Sequence, residues 1–329
     1  MFPPVCSYVS SQVSKIQWRN GYGTITIEAG KEMDRYNLMK LCLEGLSVGD
    51  CFGEKFFVHP DVVDGLIESR GLPAPPWYFT DDTLMAVSIA EVLALHGEIN
   101  QDALAASFAA RYDSSRGYGP AMHSLLREIS TGTAWNVAAS GQFNGKGSFG
   151  NGAAMRAAPV GAYFADELNR VVEQAALSAQ VTHTHPEGVA GAIAVAVAAA
   201  VAWQMRDAGA APTRSEFLDV VLPLVPDSEV KKKVRRARDM RESACIQLAV
   251  DLLGNGTGVS AQDTVPLALW CAGERLADYE EAMWLTVSGL GDRDTTCAIA
   301  GGVVAVYSGL ESIPSEWLSC REPLPELSA

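Results

Sequence analysis

Apolar positions recur at three- and four-residue intervals along most of the chain. Between Arg35 and Gly49 the residues Leu38, Leu41, Cys42, Leu46 and Val48 keep near-helical spacing. Between Asp81 and His96 the residues Leu84, Met85, Val87, Ile89, Val92, Leu93 and Leu95 do the same, with Gly97 as a stop signal. The pattern predicts further helices over Gln101–Tyr112, Met122–Ser130, Leu168–Gln180, Gly188–Asp207, Arg214–Leu224, Glu229–Leu253, Val265–Ala272, Tyr279–Val287 and Thr295–Tyr307. Alternation of period two is almost absent, apart from Thr24–Ile27, which reads as a short strand or as part of a loose N-terminal extension. The fold class expected is all-α. Residues 1–33 are read as that extension and 34–329 as a single helical domain, since no Pro/Gly/Ser-rich linker divides the chain.

Composition changes this picture little but removes several functions. Hydrophobic residues make up 48% and charged residues 19%, enough apolar surface for a large core. The formal net charge of −14 repels polyanions, so neither nucleic acid nor an anionic membrane surface is an expected partner. Gly188–Met205 carries no charge and raises the question of a membrane span, but it is built largely of Ala, Val and Gly, so a buried central helix is the reading preferred. The seven cysteines show no CxxC pair, which suits a reducing compartment, and no signal peptide is evident at the start, so a cytoplasmic location is expected. The basic run Lys231–Arg238 reads as a solvated helix face.

Four segments carry candidate chemistry. Thr80-Asp81-Asp82-Thr83 opens a helix, where a hydroxyl cap and acids near the positive helix end would suffice as explanation. Gly289-Leu290-Gly291-Asp292-Arg293-Asp294-Thr295 repeats the theme in a glycine-rich turn. Two such oxygen clusters could hold hard divalent cations for metal-assisted hydrolysis, if the fold brings them together. Asn144–Gly152 formally matches G-x-G-x-x-G at Gly145, Gly147 and Gly150. No apolar strand precedes it, which excludes the dinucleotide-fold reading and leaves either a phosphate cradle or an ordinary tight loop. Thr182-His183-Thr184-His185 has no further ligands nearby for zinc and reads as a helix entrance with one ligand-contacting histidine.

Taken together these segments resemble the ADP-ribosylhydrolase family related to dinitrogenase reductase-activating glycohydrolase. The resemblance rests on Gly45–Gly53, Phe79–Thr83, Arg116–Gly119, Gly147–Arg156, Ser178–His183, Gly291–Thr295 and Ile313–Trp317, in that order. The run Gln142–Gly152 is most similar to the branch that cleaves O-linked ADP-ribose. The resemblance implies an orthogonal helical bundle and a pair of magnesium (or manganese) ions held by Thr80, Asp81 and Asp82 on one side and by Asp292, Asp294 and Thr295 on the other. It implies ADP-ribose, or an ADP-ribosylated substrate, against Gly147, Ser148, Phe149, Gly150, Asn151 and His183, with Tyr118 and Gly119 toward the adenine. Gly150 and Gly152 are then expected to let the ligand approach the backbone closely.

Two departures from the family pattern stand out. Leu290 and Arg293 replace a glycine and a threonine in the second acidic motif, while every ligand position survives. Phe57 occupies the position where many relatives carry a catalytic or gating glutamate. Glu54, one helical turn earlier, is then a candidate acid/base beside the metal-bound Asp81 and Asp294. Two functions follow: an ADP-ribosyl hydrolase, or a family member that binds ADP-ribose without turning it over, with Phe57 as its mark.

Overall fold

The structure is a computed structural model describing residues 16–20, 23–27 and 34–327. It is all-α apart from one hairpin, Ile16–Asn20 paired antiparallel with Gly23–Ile27. The sixteen α-helices of the described residues are α1 (Arg35–Glu54), α2 (Pro60–Ser69), α3 (Asp81–His96), α4 (Gln101–Ala110), α5 (Pro120–Ser130), α6 (Trp135–Gly145), α7 (Ala158–Tyr163), α8 (Leu168–Gln180), α9 (Pro186–Asp207), α10 (Arg214–Val221), α11 (Glu229–Asp239), α12 (Ile246–Leu253), α13 (Ala261–Glu274), α14 (Tyr279–Val287), α15 (Arg293–Ser308) and α16 (Ser315–Cys320). The expected strand at Thr24–Ile27 lies within the second strand of the hairpin.

Two central pairings set the frame. Helix α1 runs antiparallel to α15 along a seam of small residues. Gly45, Gly49 and Gly53 recur every fourth position, and a Cβ on any of them would collide with the backbone of Gly301, Cys297 and Arg293 respectively. Fourfold spacing on both helices lets the two main chains touch, which places the C-terminal turn of α1 beside the N-terminus of α15. Helix α9 is the second axis. It is long and apolar enough to cross a bilayer, but 83% of its most apolar window is buried. Helices α7, α8, α13 and α15 pack around it, so its apolarity is that of a core helix.

Some boundaries differ from the sequence expectation. The run Glu229–Leu253 is two helices, broken at Met240–Cys245, where Arg214 donates to the Met240 carbonyl. Lys233 donates to the carbonyl of Leu253 at 2.9 Å and holds α12 back against α11. Apolar periodicity continues across the break, because both pieces pack on α13. Helices α2, α6, α7 and α16 escape the periodic reading: α7 and α16 are short, α6 is interrupted by non-helical backbone at Gln142, Phe143 and Asn144, and α2 and α7 begin with prolines at their first turns.

Candidate functional site

Helix α3 starts against a buried carboxylate. Asp50, fully buried on α1, accepts from the Thr80 amide (3.0 Å), the Thr80 hydroxyl (2.9 Å), the Thr83 amide (3.1 Å) and the Thr83 hydroxyl (2.5 Å). Thr80 meanwhile caps the helix, accepting from the Asp82 amide at 3.3 Å. The Asp81 amide donates to the Arg116 carbonyl at 2.7 Å. Arg116 itself donates to the Phe79 carbonyl (2.9 Å) and pairs with Glu322, which also accepts from the Phe79 amide at 2.9 Å. With its backbone thus fixed from three directions, the helix start frees the side chains of Asp81 and Asp82 for other partners.

The second acidic segment meets the first. The backbone of Arg293–Asp294 lies against Gly53 in the α1–α15 seam. The Asp292 amide donates to the Asn255 carbonyl at 3.0 Å, and its side chain accepts from Asn151 Nδ2 at 2.6 Å. Five aspartates therefore share one field. Burial raises Asp50 to about 6 and Asp81 to about 8, the latter with help from the charge of Asp50. Asp82 is pushed well above the carboxylate range by burial and then by Asp294; Asp294 is pushed the same way by burial, Asp292 and Asp50. Asp292 is raised too, by burial, and Asn151 works against that rise.

Asp82 Oδ1 and Asp294 Oδ1 are buried without a hydrogen-bond partner, and a buried polar oxygen without one is costly. No set of three or more His, Cys, Asp or Glu side chains among the described residues is already closed into a cation cage. Two orphaned carboxylate oxygens from two helix starts, with Thr80 and Thr295 beside them, are nevertheless the donor chemistry a hard divalent cation takes.

The glycine-rich loop sits beyond Asp292. Its amides at Ser148 and Phe149 find no acceptor among the described residues, whereas that of Gly150 donates to Ser148 Oγ at 3.1 Å. The glycines answer first to the protein. A Cβ on Gly150 would stand 3.2 Å from His183 Nε2, and one on Gly152 3.1 Å from His183 Cε1. Gly147, at φ +73°, is pressed against the backbone of His185. The loop is thus clamped onto the turn between α8 and α9, and a side chain at Gly150 or Gly152 would crowd His183.

His183 is held from behind. Arg156 is fully buried among Met85, Phe108 and Thr182, and its Nη2 donates to Thr182 Oγ1 at 2.7 Å. Thr182 Oγ1 lies 2.7 Å from His183 Nδ1. A guanidinium only donates, so the threonine hydroxyl accepts from Arg156 and keeps its own proton and a second lone pair for the contact with Nδ1. Burial with the nearby Arg156 charge lowers the imidazole pKa to about 3, so it stays neutral. Burial in turn lowers Arg156 to about 9, with Asp81 and Asp82 opposing the fall.

Two aromatic rings flank the loop. Phe143 and Phe149 are both exposed, near-parallel at 28° and 6.3 Å apart between centroids. Tyr118 is buried against Tyr112 and His123, within the fields of Asp81 and Arg156. Gly119 opens α5, with empty space where a side chain would be.

Glu54 is the last residue of α1, and the Phe57 amide donates to its carbonyl at 3.2 Å, so the two share one turn. Glu54 is solvent-exposed, and its pKa is raised by partial desolvation and by Asp50 and Asp292. Phe57 is 47% exposed, and the Arg293 guanidinium lies 4.5 Å over its ring. Glu54, Phe57 and Thr80 line one cleft of about 850 Å³.

The sequence reading assigned no role to Asp50, Arg156, Thr182, Asn255 or Glu322. Asp50 was discernible as a lone charge inside the apolar stretch 45–53, and Arg156 as one inside 152–165. Asn255 and Glu322 gave no such sign, since they act through backbone groups distant in sequence.

A sequence profile of the ADP-ribosylglycohydrolase family matches residues 31–328. The chain belongs to that family. This glycohydrolase-family member is 29% identical over 327 residues to ADP-ribosylhydrolase ARH3 of Homo sapiens, covering 87% of this chain and 89% of that protein. An uncharacterized protein of Archaeoglobus fulgidus is 33% identical over 310 residues, covering 87% and 93%. Among solved structures, a chain of an ADP-ribosylglycohydrolase-related protein complex superposes with a TM-score of 0.60 at 24% identity, over 88% of this chain and 93% of that one, a likeness of fold. Membership carries the activity class of a glycosidase-type hydrolase of ADP-ribose.

Proposed function

We propose that this protein releases ADP-ribose from an acceptor by hydrolysing an O-glycosidic bond, with two divalent cations at the aspartate cluster. The observation that carries the reading is the pair of buried, unpartnered oxygens on Asp82 and Asp294, contributed by two helix starts beside a loop with free amides. Thr80, Asp81 and Asp82 would hold one magnesium (or manganese) ion, and Asp292, Asp294 and Thr295 the other. Bound there, the cations supply Lewis-acid charge and lower the pKa of a coordinated water.

The chain's own residues do the rest. The amides of Ser148 and Phe149 receive the diphosphate, and His183 offers Nε2–H as a fixed neutral donor. The gap between Phe143 and Phe149 is close to two stacking distances and suits the adenine ring. Asp50 orients Thr80, and Asn151 orients Asp292 from beside the ADP-ribose. Glu54, the nearest carboxyl on the cleft side, exchanges the leaving-group proton, which Phe57 is unable to do.

The test is incubation of the full chain, with magnesium or with chelator, on ADP-ribose linked to serine and to arginine. Magnesium-dependent release from the serine conjugate is expected, with a loss of about a hundredfold in Glu54→Gln at unchanged magnesium affinity. A Glu54→Gln enzyme as fast as wild type hands proton transfer to Asp81 or Asp294. Tight ADP-ribose binding without release from either conjugate establishes the second reading, a non-catalytic binder, which the apolar Phe57 ring at the cleft favours.

A further inference from the structure

The aspartate cluster has two sides. Asn151 ties Asp292 to the glycine-rich loop, and Thr80 belongs both to the cluster and to the cleft of about 850 Å³. If ADP-ribose lies along the loop, whatever is attached to its anomeric carbon leaves through that cleft. Three of the twelve large exposed hydrophobic residues among the described residues, Phe57, Val58 and Tyr78, line it. Exposed apolar side chains gathered in one place mark a binding surface.

Charge gives the cleft no clear preference, because Glu54 and Lys55 both line it. One of its exposed apolar walls is Phe57. Arg293 covers one face of that ring at 4.5 Å, and is itself anchored by donating to the Phe56 and Gly291 carbonyls. Arg293 also sits between Asp292 and Asp294, so the ring is positioned by the same turn that positions the second acidic group. The two departures from the family pattern, at 57 and 293, are thus one structural unit. A flat hydrophobic wall held rigidly at the mouth of a catalytic cleft recognises a flat or apolar partner.

We propose that this cleft is the acceptor subsite and that the Phe57–Arg293 pair makes it select ADP-ribose conjugates whose acceptor carries an aromatic group. The proposal rests on the reading that ADP-ribose occupies the loop. Its test is calorimetric titration of the full chain with free ADP-ribose and with two hydrolysis-resistant S-glycosides of ADP-ribose, one S-aryl and one S-methyl. The S-aryl compound binds at least tenfold tighter than the S-methyl one. In Phe57→Ala that preference falls below about threefold while S-methyl affinity is unchanged; Phe57→Trp retains it, and Arg293→Gln loses part of it. Phe57 is half exposed, so the Ala variant melts near wild type. Equal affinity for the two S-glycosides, or equal weakening of both by Phe57→Ala, overturns the acceptor subsite while leaving the ADP-ribose reading intact. Failure of free ADP-ribose to bind overturns both.

Discussion

At the residue scale, the site depends on side chains that never meet a substrate. Arg156, Thr182 and His183 form a line of hydrogen bonds, in which a Thr182 hydroxyl donating to Nδ1 leaves the imidazole proton on Nε2. Thr182→Val keeps the volume and removes the hydroxyl, so Nδ1 loses its donor and the tautomer is no longer fixed. Two-dimensional nitrogen–proton NMR of the His183 ring is expected to show Nε2–H alone in wild type and a mixture in the variant, with ADP-ribose affinity down about tenfold, or ~1.4 kcal/mol. Thr182→Ser restores both. A single Nε2–H tautomer in Thr182→Val contradicts the relay. His183 was visible in the sequence as a residue at a helix entrance. The relay behind it was not, because Arg156 reaches it from 27 positions away and through a burial that no spacing reveals. The acids at 80–82 and 292–294 were visible for the opposite reason: each cluster is local, and only their meeting needed the fold.

At the element scale, the seam between α1 and α15 determines where the acids stand. Gly49→Ala places a methyl group inside the Cys297 carbonyl, which is backbone and has nowhere to rotate. Overpacking of this kind costs ~1–3 kcal/mol, and here the upper end applies, since both helices are buried. A fall in denaturation midpoint of that size is expected, whereas Gly65→Ala on α2, where a Cβ meets nothing, leaves the midpoint unchanged or raises it. Equal effects at the two positions would argue against the seam. The helical class was legible because long amphipathic segments repeat at 3.6 residues. The seam was harder to see: its glycines look like weak helix formers, and only the facing residues at 293, 297 and 301 explain them.

At the scale of the whole molecule, crowding five aspartates makes stability depend on pH in an unusual direction. Asp81, raised to about 8, and Asp82 and Asp294, raised well above the carboxylate range, hold protons in the folded state that the unfolded chain, with carboxyl pKa values of ~4, has released. Between those values the folded state binds more protons, so stability falls as pH rises. His183 opposes this at lower pH. It is neutral when folded down to about 3, yet protonates at ~6.5 when unfolded, so its contribution is lost as pH falls below ~6.5. The clear window lies between ~6.5 and ~8. In chelator, the melting temperature is expected to decline across that window; with millimolar magnesium it is higher and the decline shallower, because ionised carboxylates then have their counter-charge. Identical slopes with and without magnesium would remove the two-cation proposal.

The clasp of Glu322 on Arg116 and Phe79 adds a matter of timing. Glu322 stands 243 positions after Phe79, the residue whose amide it receives. A polypeptide emerging from the ribosome therefore exposes the first acidic turn long before its last support has been synthesised. Until then the turn carries buried-type acids with an incomplete scaffold. The site is among the last parts of the molecule to be finished, and a chain terminated between residues 295 and 322 carries every proposed ligand and still lacks the brace that aims the first three.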